Sequence, residues 1–543
     1  MNSEPTTVIS PRERRGALIG VLLALFMAAL DQTIVSTATP MIIKDLSFPT
    51  NWITWLTTSY LVTGTALLPI WGKLSDLYGR RPMLLTGIVI FVIASILCAI
   101  AQTPIELVLY RALQGVGSAA IFANAFAVVG DLFEPHERPK YQGLFGAMFG
   151  LSSVIGPWIG GLLTDLISWH WVFLVNIPVG AIAFFFIAKR MPLLRHTSGQ
   201  HIDFFGAALL LLFVIPLLLA LSLAPTSYAW ASVETISMFS LSIIAFTLFI
   251  RHELKSDGAI VDLKLFANKT FGLTALASFV LGAVFLGSIV FIPLYMVNVL
   301  GVSATSSGAT LTPLTLGLVF GNITSGQLVS RIGSYKPVLI PSLVALIFAY
   351  LWFALTLDAE QTQLQIIIKL VVLGIALGPT IPLYTQMMIN AAPRNKMGVA
   401  SASATFVRQM GSSVGLALLG TVFSAYLANA FMTDIAPQLP SQLQSQVVAS
   451  DQVDTEHQAA SINFEQIRLT VQENVADPVE QAAALAQVTT IENSFKVIWA
   501  EATRKIFQYG FLIVILGLAI TLIIPEIPFS RPTKKKPVVT ESN

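Results

Sequence analysis

The chain has 543 residues, of which 55% are hydrophobic and only 11% charged. Soluble domains carry about a quarter charged residues, so a bilayer rather than water is the expected solvent. The net charge of +2 gives no basis for nucleic-acid binding. The single cysteine, Cys98, excludes an intramolecular disulfide and argues against a thiol metal site. The histidines, at 136, 170, 196, 201, 252 and 457, show no metal-ligand spacing.

About 20 apolar residues cross a bilayer as a helix. Fourteen such runs follow one another, at 16–38, 51–71, 82–101, 105–129, 140–164, 171–190, 203–223, 232–250, 270–295, 306–329, 337–357, 365–389, 400–428 and 506–526. The first is too long for a signal-peptide core and is expected to be retained. With Arg12, Arg14 and Arg15 placed inside, the inner loops hold the other basic residues, from Lys73, Arg80 and Arg81 to Arg394 and Lys396. The short outer loops hold only Lys44. By the positive-inside rule both termini are cytoplasmic and the protein is a multi-pass cell-membrane protein.

The loop after the second run reads GKLSDLYGRRP (72–82), and the loop after the tenth reads GQLVSRIGSYKP (326–337). Both follow G-x-L-x-[D/S]-x-x-G and run through basic residues to a proline that opens the next helix. This points to a repeat in which helices nine to fourteen copy one to six, with seven and eight inserted. Repeated halves characterise secondary transporters, whose binding site lies at the repeat interface. The expected organisation is a cytoplasmic N-terminus (1–15), a six-helix bundle (16–190), an insert (191–269), a second six-helix bundle (270–526) and a basic cytoplasmic tail (527–543). The second bundle contains a long acidic outer segment, 429–505. There Asp477-Pro478-Val479-Glu480 has the form of a helix start, and a small outer helical hairpin is expected, with a partly disordered loop as the alternative.

Asp31 interrupts an uncharged run, and an ionisable group inside a membrane normally has a partner or a function. Helix one runs outward and helix four inward. Asp31 and Arg111 therefore both lie roughly 10–12 Å below the outer surface and can pair. The pair is either a static bridge or a proton-titrating site. Elsewhere, Gly146 and Gly150, and Gly156 and Gly160, are spaced for close helix contact, and Pro157 interrupts the helix-five hydrogen bonds. Met27, Trp55, Tyr60, Met148, Phe149, Trp158, Tyr295, Tyr384 and Gln386 are candidates for a cavity suited to lipophilic cations, or else face lipid and neighbouring helices. Lys369 and Arg408 are expected to snorkel from helix ends. Gly411-Ser412-Ser413-Val414-Gly415 matches G-x-S-x-G but lies in an apolar run, where small-residue packing is the better reading.

The segment Gly72-Lys73-Leu74-Ser75-Asp76-Leu77-Tyr78-Gly79-Arg80-Arg81 resembles the helix 2–3 signature of the major facilitator superfamily. Arg111-Ala112-Leu113-Gln114-Gly115-Val116-Gly117 resembles its helix-four motif, and Gly156-Pro157-Trp158-Ile159-Gly160-Gly161 its antiporter motif. Leu30-Asp31-Gln32-Thr33-Ile34-Val35 with Pro40, and Trp169-His170-Trp171-Val172-Phe173 with Asn176 and Pro178, resemble signatures of the fourteen-helix drug–proton antiporters. Ser36, Thr39 and His170 depart from those signatures. The resemblance implies an all-α membrane fold of two six-helix bundles plus two inserted helices. It implies no enzymatic activity, no cofactor, and a proton gradient as energy source. It gives Asp31 and Arg111 to proton coupling. Gly72, Asp76, Gly79, Arg80 and Arg81 become a cytoplasmic latch, and Gly156, Pro157, Gly160 and Gly161 a hinge and ion-leak seal. Proton-coupled export of lipophilic or cationic compounds by a monomer is the expected function. Export of one endogenous metabolite, lipid or siderophore is the alternative, and a non-transporting scaffold a remote one. An adaptor or outer-membrane partner is left open.

Overall fold

The computed structural model describes residues 10–48, 52, 54–193, 202–224, 228–256, 258–302, 304–435, 437, 468–469, 471–472 and 478–526. Helix α1 (Pro11–Asp45) opens on a capping box, in which the Ser10 hydroxyl accepts from the Glu13 amide and the Glu13 carboxylate accepts from the Ser10 amide. Then come α2 (Trp55–Ala66), α3 (Leu68–Tyr78), α4 (Arg80–Ala99), α5 (Pro104–Leu132), α6 (Arg138–Leu166), α7 (Trp171–Leu174) and α8 (Asn176–Arg190). Next are α9 (Phe204–Leu223), α10 (Val233–Glu253), the short α11 (Leu263–Ala267), α12 (Lys269–Asn298), α13 (Ala304–Ile332) and α14 (Lys336–Thr356). The chain ends with α15 (Gln363–Leu377), α16 (Thr380–Ala391), α17 (Met397–Ala430) and α18 (Pro478–Ile523).

Among the described residues, twelve helical segments are long and apolar enough to cross a membrane. The remaining two of the fourteen expected spans are helical as well. One is α13, diluted by polar residues at both ends, and the other is 51–71, which is not a single helix. It breaks at Leu67 into α2 and α3, just before Pro69, which lacks the N–H needed to continue the ladder. Pro178 and Pro379 accompany similar breaks, between α7 and α8 and between α15 and α16. Pro157 does not break its helix, and α6 is continuous through it.

Helices α1–α8 pack around adjoining cores built from residues such as Leu25, Met27 and Phe91, and Ile34, Leu107 and Phe173. Helices α12–α18 share another core, with Tyr350, Phe353 and Phe507 at its centre. Helix α9 packs on α2 and α17, and α10 packs on α9. The two halves meet mainly where α6 crosses α13 and where α3 crosses α17. Gly79 (φ 96°) and Gly333 (φ 78°) occupy equivalent places in the two similar loops, and each amide closes onto the carbonyl four residues back. Positive φ is the conformation glycine supplies without strain.

Pro478 opens a 46-residue helix that runs unbroken into the last span, about 69 Å long against a hydrocarbon layer of about 30 Å. Residues 478–505 thus belong to α18, while most of the remainder of the expected hairpin lies outside the described residues. Residues 478–505 bury Phe495, Ile498 and Trp499 against the C-terminal end of α17, where Trp499 meets Phe423 edge-on. Residues 438–467 and the basic tail lie outside the described residues.

Candidate functional site

Asp31 and Arg111 meet. Arg111 Nη1 lies 2.5 Å from Asp31 Oδ2, with both side chains buried. The other carboxylate oxygen accepts from Gln114 Nε2 at 2.7 Å and Asn176 Nδ2 at 3.0 Å. Ser95 Oγ accepts from Gln114 and Asn176 at 2.8 and 3.3 Å. Arg111 also donates to Leu56 O and stacks over the Tyr60 ring, 4.4 Å from its centroid. The Tyr60 hydroxyl is fixed by Ser118 Oγ at 2.8 Å. Asp31 is 0% exposed, and the three side chains that bond it are all donors, the arrangement an ionised carboxylate can satisfy. A fully donor-saturated charge of this kind is stable in a low-dielectric interior, whereas removing one partner leaves a buried charge unmet.

The second cluster lies at the end of the molecule where lysines and arginines concentrate. Asp76 accepts from the Gly398 and Val399 amides at 2.9 and 2.8 Å, which are free N–H groups at the start of α17. A carboxylate there is favoured by the helix dipole. Arg80, fully buried, lies 2.6 Å from Asp76 and 2.8 Å from Asp131, the latter in the last turn of α5. Gly72 faces Ala402 and Gly398 so closely that a Cβ would clash, which lets α3 and α17 cross backbone to backbone. Arg81 points away and donates to Ala188 O. Beside the cluster is a polar cavity of about 240 Å³, at whose edge Lys396 ion-pairs with Asp262 of the inserted segment.

Further bonds tie the halves together at this end and deeper along α17. Arg138 donates to Asn390 Oδ1 at 2.8 Å, Ser401 to Ala123 O at 3.1 Å, and Thr65 to Gln409 Oε1 at 2.9 Å. The glycine ridge of α6 serves two neighbours. Gly143, Gly146 and Gly150 face Asn322 and Val319 of α13, while Gly156 and Gly160 face Thr33 and Thr37 of α1. Gly161 faces open space. The molecule is therefore closed at its basic end.

The signature of the Major Facilitator Superfamily matches residues 21–416. The chain belongs to this superfamily. It is 35% identical to the multidrug transporter protein MdtP of Bacillus subtilis (strain 168) over 525 residues, 96% of this chain and 95% of that one. It is 36% identical to multidrug resistance protein 3 of the same organism, over 78% of this chain and 82% of that one. Among solved structures, the proton:xylose symporter XylE superposes with a TM-score of 0.57 at 12% identity, covering 94% of this chain and 96% of that one. The human organic anion transporter MFSD10 gives 0.55 at 13%, covering 93% and 100%. These likenesses establish the major facilitator fold. The protein is a multi-pass membrane transporter and not an enzyme.

The transporter scatters the candidate cavity residues. Met27 and Tyr60 lie in the core of α1–α8. Tyr295 and Tyr384 are turned into the core of α12–α18, where their hydroxyls bond Asp358 O and Thr521. Trp158 is 70% exposed. Gln386 is buried and donates to Asn390. These six are packed in a core or turned outward. Trp55, Met148 and Phe149 are half-buried, and Phe149 stacks on Phe122 at 5.6 Å. G-x-S-x-G is a packing surface, with Gly411 and Gly415 against Phe279 and Ala283 of α12. Lys369 reaches Gln361 at its helix end. Arg408 is half-buried. It lies eleven residues (397 to 408) into α17, about 16 Å deep, where its carbonyl faces Gly282 in the middle of α12.

Sequence reasoning did not assign Gln114, Asn176, Ser95 or Asp131 to these clusters. Gln114 and Asn176 sit inside the helix-four and helix-six motifs, so a signal existed for them. Ser95 and Asp131 stand in no motif and have none.

Proposed function

We propose that this transporter is a proton-coupled antiporter that exports lipophilic compounds, drugs among them, across the cell membrane. It works as a monomer of two six-helix halves with helices seven and eight inserted, and its basic end faces the cytoplasm. The observation that carries this reading is the buried Asp31, saturated by Arg111, Gln114 and Asn176. A proton arriving from outside turns one carboxylate oxygen into a donor and releases Arg111. The outer ends of the helices then close while the Asp76 contact with α17 opens. Re-forming the Asp31–Arg111 pair returns the proton to the cytoplasm, and the closed basic end described here is the state that follows. The names of the two Bacillus relatives support drug substrates.

The test is reconstitution into vesicles with a pH-sensitive dye and a fluorescent efflux substrate. Wild type should couple substrate movement to proton movement, and Asp31→Asn should lose both proton flux and proton-driven transport. Undiminished proton-driven efflux by Asp31→Asn would refute the coupling role.

A further inference from the structure

Arg408 is the cation that the coupling site does not use. It sits at mid-membrane depth on α17, on the face it shares with Ser401 and Thr405. At Ser401 that face meets α5, whose Ala123 O accepts the Ser401 hydroxyl, and one turn beyond Arg408 it meets α12, where Ser412 bonds Gly282 O. The hydroxyls along it are already satisfied: Ser401 by Ala123, Thr405 by Ser401 O, and Ser412 by Gly282 O. The guanidinium is not. Its Nε is sealed from solvent without a partner, the residue as a whole is half-buried, and among the described residues no acidic group neutralises it. The one carboxylate at membrane depth on the opposite half, Asp31, is committed to Arg111. At that depth α17 therefore carries a positive charge with no countercharge among the described residues, and the Nε of its planar fork of donors is unpaired.

We infer that Arg408 is the anion-recognition residue of the transport site, and that the preferred substrates are lipophilic molecules bearing a carboxylate or similar acidic group. This rests on the export reading above and narrows its substrate class. The acid pairs with Arg408 while the apolar body lies against surrounding apolar side chains. An amphipathic acid supplies the countercharge the helix lacks, and a lipophilic cation meets repulsion.

The experiment measures equilibrium binding by purified transporter of a dansylated fatty acid, its methyl ester, and tetraphenylphosphonium. Wild type should bind the acid about tenfold or more tightly than the ester, the effect of one charge-assisted pair. Arg408→Gln should erase that preference while leaving ester binding unchanged, which also shows that the variant is folded, and Arg408→Lys should keep part of it. Equal binding of acid and ester by wild type, tighter binding of the cation, or equal losses for acid and ester in Arg408→Gln would overturn the inference. Binding needs no gradient. An acid preference without proton-driven transport would sink only the antiport reading, and proton-driven transport with a cation preference would sink only this one.

Discussion

Asp76→Asn keeps the shape of the side chain and removes its charge. Each carboxylate oxygen now accepts one amide from the start of α17. An asparagine offers a single acceptor oxygen and turns its NH₂ towards another donor. The loss combines a charge–dipole term of up to about 2 kcal/mol with a hydrogen bond to a charged group worth about 1.5–3 kcal/mol. It is tempered because Arg80 retains Asp131 at 2.8 Å and is not left as an orphaned cation. A net loss of about 2–3 kcal/mol from the basic-end-closed state shifts its population about 30- to 150-fold. Pulsed electron–electron double resonance between spin labels at Tyr78 and Asn395, both exposed, reads this directly. Cys98 is buried, out of reach of the label. The wild type should show mainly the short distance, and Asp76→Asn should populate a longer one. An unchanged distance distribution would refute the argument that this carboxylate holds the halves together.

Gly72→Leu should act on the same equilibrium by a steric route. Any Cβ there meets Ala402 and the Gly398 carbonyl, and overpacking costs about 1–3 kcal/mol, so the same label pair should report opening; a normal closed distance would contradict the backbone crossing. The inserted helices carry a pH-dependent clasp at Asp203, the residue before α9. Burial raises its carboxyl, but hydrogen bonds from Ser256, the Gly206 amide and His252 outweigh this and hold it below the usual range. A depressed value stabilises the fold above the unfolded value of about 3.9, and that contribution is lost as pH falls through the folded value. Thermal unfolding followed from about pH 6 to about pH 3 should show this acid loss in wild type and a flatter profile in Asp203→Asn; identical slopes would exclude the clasp.

Parts of this protein were legible because their physics is local. The breaks near Pro69 and Pro379 were not among them, because proline removes a backbone donor but leaves α6 continuous through Pro157, so a proline alone does not say which span is broken. The two similar loops could be matched because a positive φ at Gly79 and Gly333 needs glycine at each place. Asp31 and Arg111 could be paired by depth alone, since helix rise is fixed and their helices run in opposite directions. The direction in which Tyr295 and Tyr384 point was not legible. Tyr295 stands on a helix apolar on nearly every side, and Tyr384 on one whose polar residues are themselves buried, so polarity along the sequence does not distinguish a cavity face from a bundle core.

The sequence by itself determined the solvent, the placement of the spans, the basic end, the glycine and proline punctuation, and one buried charge pair. These depend on composition and on the geometry of single helices. Only the tertiary structure decided which distant groups converge. It brought Ser95 and Asn176 from two further helices, and Gln114 from the arginine's own helix, to Asp31 and its arginine. It set Asp76 against an amide 322 residues away. It left Arg408 deep in α17 with no acid beside it. The rotation of each helix about its own axis is fixed by its neighbours, through side-chain packing and the pairing of buried polar groups, and that information is spread over the whole bundle.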